Sequence, residues 1–277
     1  MTALSATPPT ASPNVLSIAG SDPSGGAGVQ ADLKTFSALG AYGCAVLTAL
    51  TAQNTRGVTA THLVPAAFVT DQLVTLIADV HLDAVKIGML ATADLAESVT
   101  RFLESSSYPV VVLDPVMVAS SGDRLLADGA IEVLRRMLPL VSIITPNTVE
   151  AALLLGAEVA TDVPTMWNQA RELRETGASR VLLKGGHLTS SPHAVDVYTG
   201  PEGELELEVA RVRTRNTHGT GCTLSSAIAA LRPQRDSWTE AVSDAKAYLT
   251  GAIAAGDALH VGRGHGPVHH FHRQWDH

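Results

Sequence analysis

Short apolar runs alternate along the chain with longer stretches whose apolar positions repeat at helical spacing. The runs at 15–19, 44–50, 84–87, 110–113, 142–144 and 181–183 predict strands. The stretches at 30–39, 68–79, 94–103, 131–138, 150–155 and 166–175 predict amphipathic helices. This βαβ rhythm, with right-handed crossovers, predicts an α/β fold: a mostly parallel central sheet with helices on both faces, a three-layer sandwich. Later in the chain, 194–199 and 204–209 flank Gly200-Pro201-Glu202-Gly203 and predict a hairpin at the sheet edge. No repeat, composition break or linker divides the sequence, so one domain over 14–277 is expected. The Thr-, Ala-, Ser- and Pro-rich residues 1–13 are expected to form a disordered tail, with neither a signal peptide nor a membrane span.

Composition narrows the function classes. The formal net charge is −8, the first cationic side chain is Lys34 and no Lys/Arg run occurs, which argues against a nucleic-acid or anionic-membrane surface. Aromatic residues make up 4% of the chain, so there is little to stack on bases. Cys44 and Cys222 stand far apart in no CxxC arrangement, which points to neither a disulfide framework nor a thiolate metal cage and suits a reducing cytoplasm.

The richest stretch is Asn216-Thr217-His218-Gly219-Thr220-Gly221-Cys222-Thr223, which leads into the small, apolar segment 224–231. Glycines one residue apart at a helix start let backbone amides converge on a phosphate, and the helix dipole adds to the attraction. A thiol in that first turn, Cys222, is placed for thiolate or thiol-donor chemistry. Ligands of open α/β sheets bind beyond the carboxyl ends of the strands. Six such ends carry polar groups here: Gly20-Ser21-Asp22, Gln53-Asn54, Lys86 with Gly88-Met89, Asp114-Pro115, Pro146-Asn147, and Lys184-Gly185-Gly186-His187.

Each motif has a plainer alternative. Gly26-Ala27-Gly28-Val29-Gln30-Ala31 satisfies GxGxxA, but Asp32 comes too early for the ribose ligand of a dinucleotide fold and the next acid is Asp71, so a substrate-contacting loop is expected. No GxxxxGK[ST] occurs. Lys184 beside two glycines reads equally as a phosphate contact or an ordinary turn. Asp114 and Glu150 are adequate magnesium ligands, direct or through water, while Asn147 followed by Glu150 also resembles a helix capping box. His269-His270-Phe271-His272 lacks Cys or carboxylate partners at ligand spacing and is expected to be a packed or solvated tail.

Together, residues 19–34, Ala52-Gln53-Asn54-Thr55, 86–90, Asp114-Pro115-Val116-Met117, Thr145-Pro146-Asn147 through Glu150-Ala151, 183–187, 216–222 and 266–272 resemble the hydroxymethylpyrimidine/phosphomethylpyrimidine kinases, the thiamine-pathway branch of the ribokinase superfamily. The likeness runs from about Val15 to the C-terminus. It implies ATP- and magnesium-dependent phosphorylation of 4-amino-5-hydroxymethyl-2-methylpyrimidine and then of its monophosphate, by a cytoplasmic homodimer. Carried over by position, Gln53 reads the aminopyrimidine with Gly20, Asp32, Met89 and Val116 around the ring. Lys184 with Asn147, Thr217, Gly219, Thr220 and Gly221 holds phosphates, Asp114 and Glu150 organise magnesium, and Cys222 and Lys184 are the catalytic pair. Where the wider superfamily pattern has aspartates, this chain has Asn216 and Cys222. Both changes remove negative charge, which suits a second acceptor that is already an anionic phosphate. The alternatives are a pyridoxine/pyridoxal kinase and, outside the enzymes, a non-catalytic pyrimidine-binding regulator.

Overall fold

The computed structural model describes residues 12–117, 129–186, 188 and 191–275. Of the expected N-terminal tail, residues 1–11 lie outside the described residues, as does His187. In chain order the elements are β1 (Asn14–Ala19), α1 (Gly28–Ala38), β2 (Tyr42–Leu47), β3 (Ala49–Asn54), β4 (Gly57–Leu63), α2 (Ala66–Ile77), β5 (Ala84–Ile87), α3 (Ala93–Ser105) and β6 (Val111–Leu113). There follow α4 (Ala130–Met137), β7 (Ile143–Ile144), α5 (Thr148–Leu155), α6 (Val163–Glu175), β8 (Val181–Lys184), β9 (His193–Gly200), β10 (Gly203–Ala210), α7 (Thr220–Leu231) and α8 (Trp238–Ala254).

The main sheet has the order β10-β9-β8-β7-β6-β5-β1-β2. Strands β2 to β8 within it run parallel, and β9 and β10 add the expected antiparallel hairpin at the edge. Period-two alternation along the strands sorts the core into two layers. Leu16, Ile18, Val85, Ile87, Val111, Leu113, Val181 and Leu183 face α2 to α6, whereas Val15, Ala84, Val112, Ile143 and Leu182 face α1, α7 and α8. Strands β1 and β5 to β8 are therefore buried on both sides, as the continuous apolar runs predict. Side-chain caps from Thr92, Asn147, Asp162 and Ser237 start α3, α5, α6 and α8, each contributing about 1 kcal/mol.

Two features depart from expectation. The run at 44–50 is not one strand: it divides at Thr48, whose amide donates to Ala19 O (3.0 Å) and whose hydroxyl donates to Met89 O (2.9 Å). Those bonds turn the chain out of the main sheet into a separate β3–β4 hairpin, so Gln53 and Asn54 lie within β3 and not past the end of a main-sheet strand. Helix α8 is also absent from the expectations, because its inward face is built largely of alanines around Trp238 and Tyr248, a weak apolar signal. Among the described residues no helix is long and apolar enough to cross a membrane.

The chain passes from β1 out to β2 and returns on the other side at β5, so strand order reverses between β1 and β5. A crevice opens at such a switch point. The loops after β1 and β5, carrying Gly20 and Met89, border it.

Candidate active site

Helix α7 begins at the crevice without a side-chain cap; its N-cap is Gly219, in left-handed geometry. The amides of Gly221 and Cys222 have no acceptor among the described residues, which leaves them free for an anion. Facing them is Lys184, at the end of β8. Its ammonium donates to Asp114 Oδ1 at 2.9 Å and lies 4.0 Å from Glu150 Oε2. A Cβ placed on Gly221 would stand 3.4 Å from Lys184 Nζ and 3.5 Å from Asp114 Oδ2. The helix start thus lies in van der Waals reach of the charged pair. Thr217 is exposed and Thr220 half-buried at this same helix start.

Asp114 is buried and accepts further hydrogen bonds from Thr145 Oγ1 (3.2 Å) and Ser225 Oγ (3.3 Å). Burial opposes its charge, but Lys184 and Lys86 prevail and hold the carboxyl below its usual range. Burial works against the charge on Lys184 as well, but Asp114 and Glu150 hold it above the usual lysine range. Glu150 behaves oppositely: burial pushes it up to about 7, Lys184 only partly offsetting that, with Asp114 adding repulsion. The capping box is present, since Asn147 Oδ1 accepts from the amides of Val149 and Glu150 while Glu150 Oε2 accepts from the Asn147 amide at 2.8 Å. Glu150 is thereby pinned beside Asp114 and Lys184.

Cys222 enters the same space. Burial pushes its thiol up to about 11; Lys86 pulls the other way, but Asp32 and Asp114 side with burial. Of the two expectations for Cys222, thiolate or thiol donor, the neutral thiol prevails, because desolvation and two carboxylates outweigh the dipole and one lysine. The Gly28 amide at the start of α1 also reaches the sulfur, so two helix starts converge on this residue.

On the other flank, a Cβ on Gly20 would lie 2.6 Å from Met89 Cε, so these two expected ring neighbours touch. Val116 is half-buried three residues past β6. Gln53 joins the flank through Thr51, whose Oγ1 stands 2.8 Å from Ser21 O and 3.1 Å from Gln53 Oε1. Asp32, expected at the ring, is fully buried beneath it. Its carboxylate accepts from Lys86 Nζ at 2.8 and 2.9 Å, from Ser17 Oγ at 2.6 Å and from Ser226 Oγ at 2.7 Å. Its oxygens are engaged by protein groups, so it supports the floor of the crevice.

The sequence places Lys86, Asp22 and His218 in the crevice motifs but gives none of them a role. Lys86 is fully buried at the centre of β5, and a lysine inside a four-residue apolar strand is itself a signal, since such a charge needs a buried partner. Asp22 and His218 meet at 2.7 Å, a contact no spacing rule reveals. The His-rich segment packs as expected: Tyr248 donates to His270 O (2.6 Å), His270 Nε2 faces Thr223 Oγ1 (3.1 Å), and His272 Nδ1 faces His269 O (3.1 Å).

Uncapped amides, a lysine and two carboxylates at the switch point of a three-layer α/β sheet define a small-molecule kinase of the ribokinase-like class. The phosphomethylpyrimidine kinase family model matches residues 22–269, and the chain belongs to that family. The hydroxymethylpyrimidine/phosphomethylpyrimidine kinase of Salmonella typhimurium is 55% identical over 263 residues, 95% of this chain and 98% of that one. The thiamine biosynthesis bifunctional protein ThiED of Geobacter sulfurreducens is 48% identical over 258 residues, 93% of this chain and 52% of that one. Among solved structures, the pyridoxal kinase from Staphylococcus aureus in complex with AMP-PCP and pyridoxal superposes with a TM-score of 0.87 at 32% identity, covering 96% of each chain.

Proposed function

We propose that the chain transfers the terminal phosphoryl group of ATP to the hydroxymethyl oxygen of 4-amino-5-hydroxymethyl-2-methylpyrimidine, and then to the monophosphate so formed, giving the pyrophosphate used in thiamine biosynthesis. The observation that carries this reading is the meeting of the free Gly221 and Cys222 amides with Lys184 and Asp114 at one end of the crevice. Family membership and the thiamine biosynthesis relative support the identity of the acceptor.

Loose phosphoryl-transfer transition states ask for positioning and charge neutralisation more than for a strong base. Lys184 and the α7 amides meet that need, and a neutral thiol at Cys222 leaves the acceptor's approach free of a repelling anion. One lysine faces two buried carboxylates, Asp114 and Glu150, a hard-oxygen donor set that suits magnesium. Magnesium bound there would neutralise phosphate charge. Gln53 offers a donor and an acceptor together, matching a ring nitrogen beside an exocyclic amine; Gly20, Met89 and Val116 shape the ring's surroundings. Thr217, Gly219 and Thr220 shape the phosphate loop, and Asn147 holds Glu150 in place. The enzyme works as a homodimer in the cytoplasm, a setting that suits its two free thiols.

The test is to incubate the protein with the pyrimidine alcohol and ATP–magnesium and follow products by mass, with pyridoxal in parallel because a relative binding pyridoxal shares the fold. Mono- and then diphosphorylated pyrimidine are expected; pyridoxal turnover alone would overturn the reading. In the same assay, Gln53→Ala is expected to raise the pyrimidine KM at least about tenfold, the effect of roughly 1.4 kcal/mol of lost hydrogen bonding, and to leave the ATP KM within twofold. An unchanged pyrimidine KM would remove Gln53 from recognition.

Cys222→Asp is a second test, aimed at the charge. A carboxylate there would repel a phosphate acceptor far more than an alcohol, so the second phosphorylation should fall more steeply than the first. Equal losses would contradict the charge argument.

A further inference from the structure

The 20–28 loop and the 216–222 loop are separated by almost the whole domain, yet their backbones touch. A Cβ on Gly219 would lie 1.7 Å from Gly26 O, and one on Gly26 would lie 2.3 Å from His218 Cδ2. Asp22, buried, organises the first loop from within: Oδ1 accepts from the Ser24 amide (2.8 Å) and hydroxyl (2.7 Å), and Oδ2 from the amides of Gly26 (3.1 Å) and Ala27 (2.8 Å). Lys34 Nζ donates to Gly25 O (2.7 Å), and Gln30 Oε1 accepts from the Asp22 amide (2.8 Å). Each of these bonds joins residues of the 22–34 segment, so none of them ties the first loop to the second.

One more bond is added. His218 Nε2 lies 2.7 Å from Asp22 Oδ2, 196 residues away, the one hydrogen bond between side chains of the two loops among the described residues. Burial opposes the charge on Asp22, but the bonds from His218 and Ser24 hold its carboxyl down at about 2. An ionised carboxylate only accepts, so the imidazole donates. The His218 backbone is anchored in turn, its amide donating to Gly266 O at 3.1 Å. With Nε2 committed to Asp22, His218 has no evident chemical part in phosphoryl transfer, although it sits inside the phosphate loop. The 20–28 loop touches the pyrimidine side at one end, through Gly20 against Met89 and Ser21 against Thr51, and Cys222 at the other, through the Gly28 amide.

We propose that the His218–Asp22 hydrogen bond is a latch that couples the two ligand sites, so that seating phosphates in the 216–222 loop orders the 20–28 loop for the pyrimidine, and the pyrimidine does the same for the nucleotide. His218 is a positioning residue. The inference rests on the proposed function for the identity of the two ligands. Such coupling is reciprocal, and effects of roughly 5- to 150-fold in affinity are typical.

The experiment is equilibrium titration of the full chain with the hydroxymethylpyrimidine, with and without AMP-PCP–magnesium, and the converse titration. In the unmodified protein each ligand is expected to tighten the other at least about fivefold. His218→Leu should bind either ligand alone within threefold of the unmodified protein, lose the mutual tightening to below twofold, and turn over at least tenfold more slowly. His218→Gln, whose amide can still donate to Asp22, should keep most of the coupling. If the leucine variant does not fold, His218→Asn, whose shorter amide stops short of Asp22, carries the same expectation. The latch is overturned if the unmodified protein shows no mutual tightening, if the tightening survives loss of the donor, if single-ligand affinities fall as far as the coupling does, or if glutamine behaves as leucine. A protein that forms no phosphorylated product would sink the functional reading instead, which the mass assay reports separately.

Discussion

Replacing Gly219 with alanine is expected to lower kcat/KM at least about a hundredfold, the scale of a misplacement near 1 Å in a positioned site, while the protein still folds. Gly219 sits at φ 80°, ψ 11°, in left-handed geometry, where a side chain costs roughly 1–2 kcal/mol. That strain is the smaller part. The added Cβ would lie 1.7 Å from Gly26 O and 2.8 Å from Gly26 C, and these are backbone atoms that no rotamer change can move. Either the start of α7 or the 20–28 loop must shift, and with it the Gly221 and Cys222 amides or the Gly28 amide against Cys222. Gly156→Ala is the control: it closes α5 at φ 69° with nothing within 4 Å of the new Cβ. It should show the backbone strain alone, with kcat/KM unchanged. Steady-state kinetics and urea unfolding of both variants check the expectation, and a Gly219→Ala enzyme within tenfold of normal would show that the two loops need not touch.

The sheet was legible because burial on both faces leaves a signature that short apolar runs carry directly. Strands β1, β5, β6, β7 and β8 lie within one or two residues of the predicted runs, and the β9–β10 hairpin follows its Gly-Pro turn. The split at Thr48 was not legible, since the turn is made by two hydrogen bonds to residues far along the chain, Ala19 and Met89, and local apolar content carries on through it. The site divides in the same way. Residues at strand ends and in glycine loops could be found from spacing, and the structure brings Asp114, Glu150, Lys184, Gly221 and Cys222 together. Asp22 with His218, and Lys86 with Asp32, are pairs made by tertiary packing across 196 and 54 residues, and periodicity has nothing to say about such distances.

The protonation of Cys222 belongs with these. A helix start, read locally, favours a thiolate, yet the residue's neighbours include two carboxylates contributed by α1 and by the end of β6. Electrostatics at a site is a sum over everything packed against it, so a motif taken by itself can give the wrong sign.

Removing the charge of Lys86 is expected to destabilise the fold by about 3–5 kcal/mol, the usual cost of stranding one member of a buried ion pair. Ser17 and Lys86 are register partners on β1 and β5, on the face covered by α1 and α7. Asp32 descends from α1 and Ser226 from α7 to complete the cluster, and both members of the ion pair are fully buried. Burial works against the ammonium, but Asp32 and Asp114 hold it above the usual lysine range. In Lys86→Met the Asp32 carboxylate keeps only two hydroxyl donors in a site closed to water. The double variant Lys86→Met/Asp32→Asn should regain more than half of the loss, because both charges are gone while an amide still bonds the two serines. Activity should not return with stability, since the buried Lys86 ammonium that draws down the Cys222 thiol would still be missing. Urea midpoints and turnover of the single and double variants separate these effects. A single variant that loses less than about 1 kcal/mol, or a double variant no more stable than the single one, would mean that the pair is not what holds α1 and α7 on the sheet.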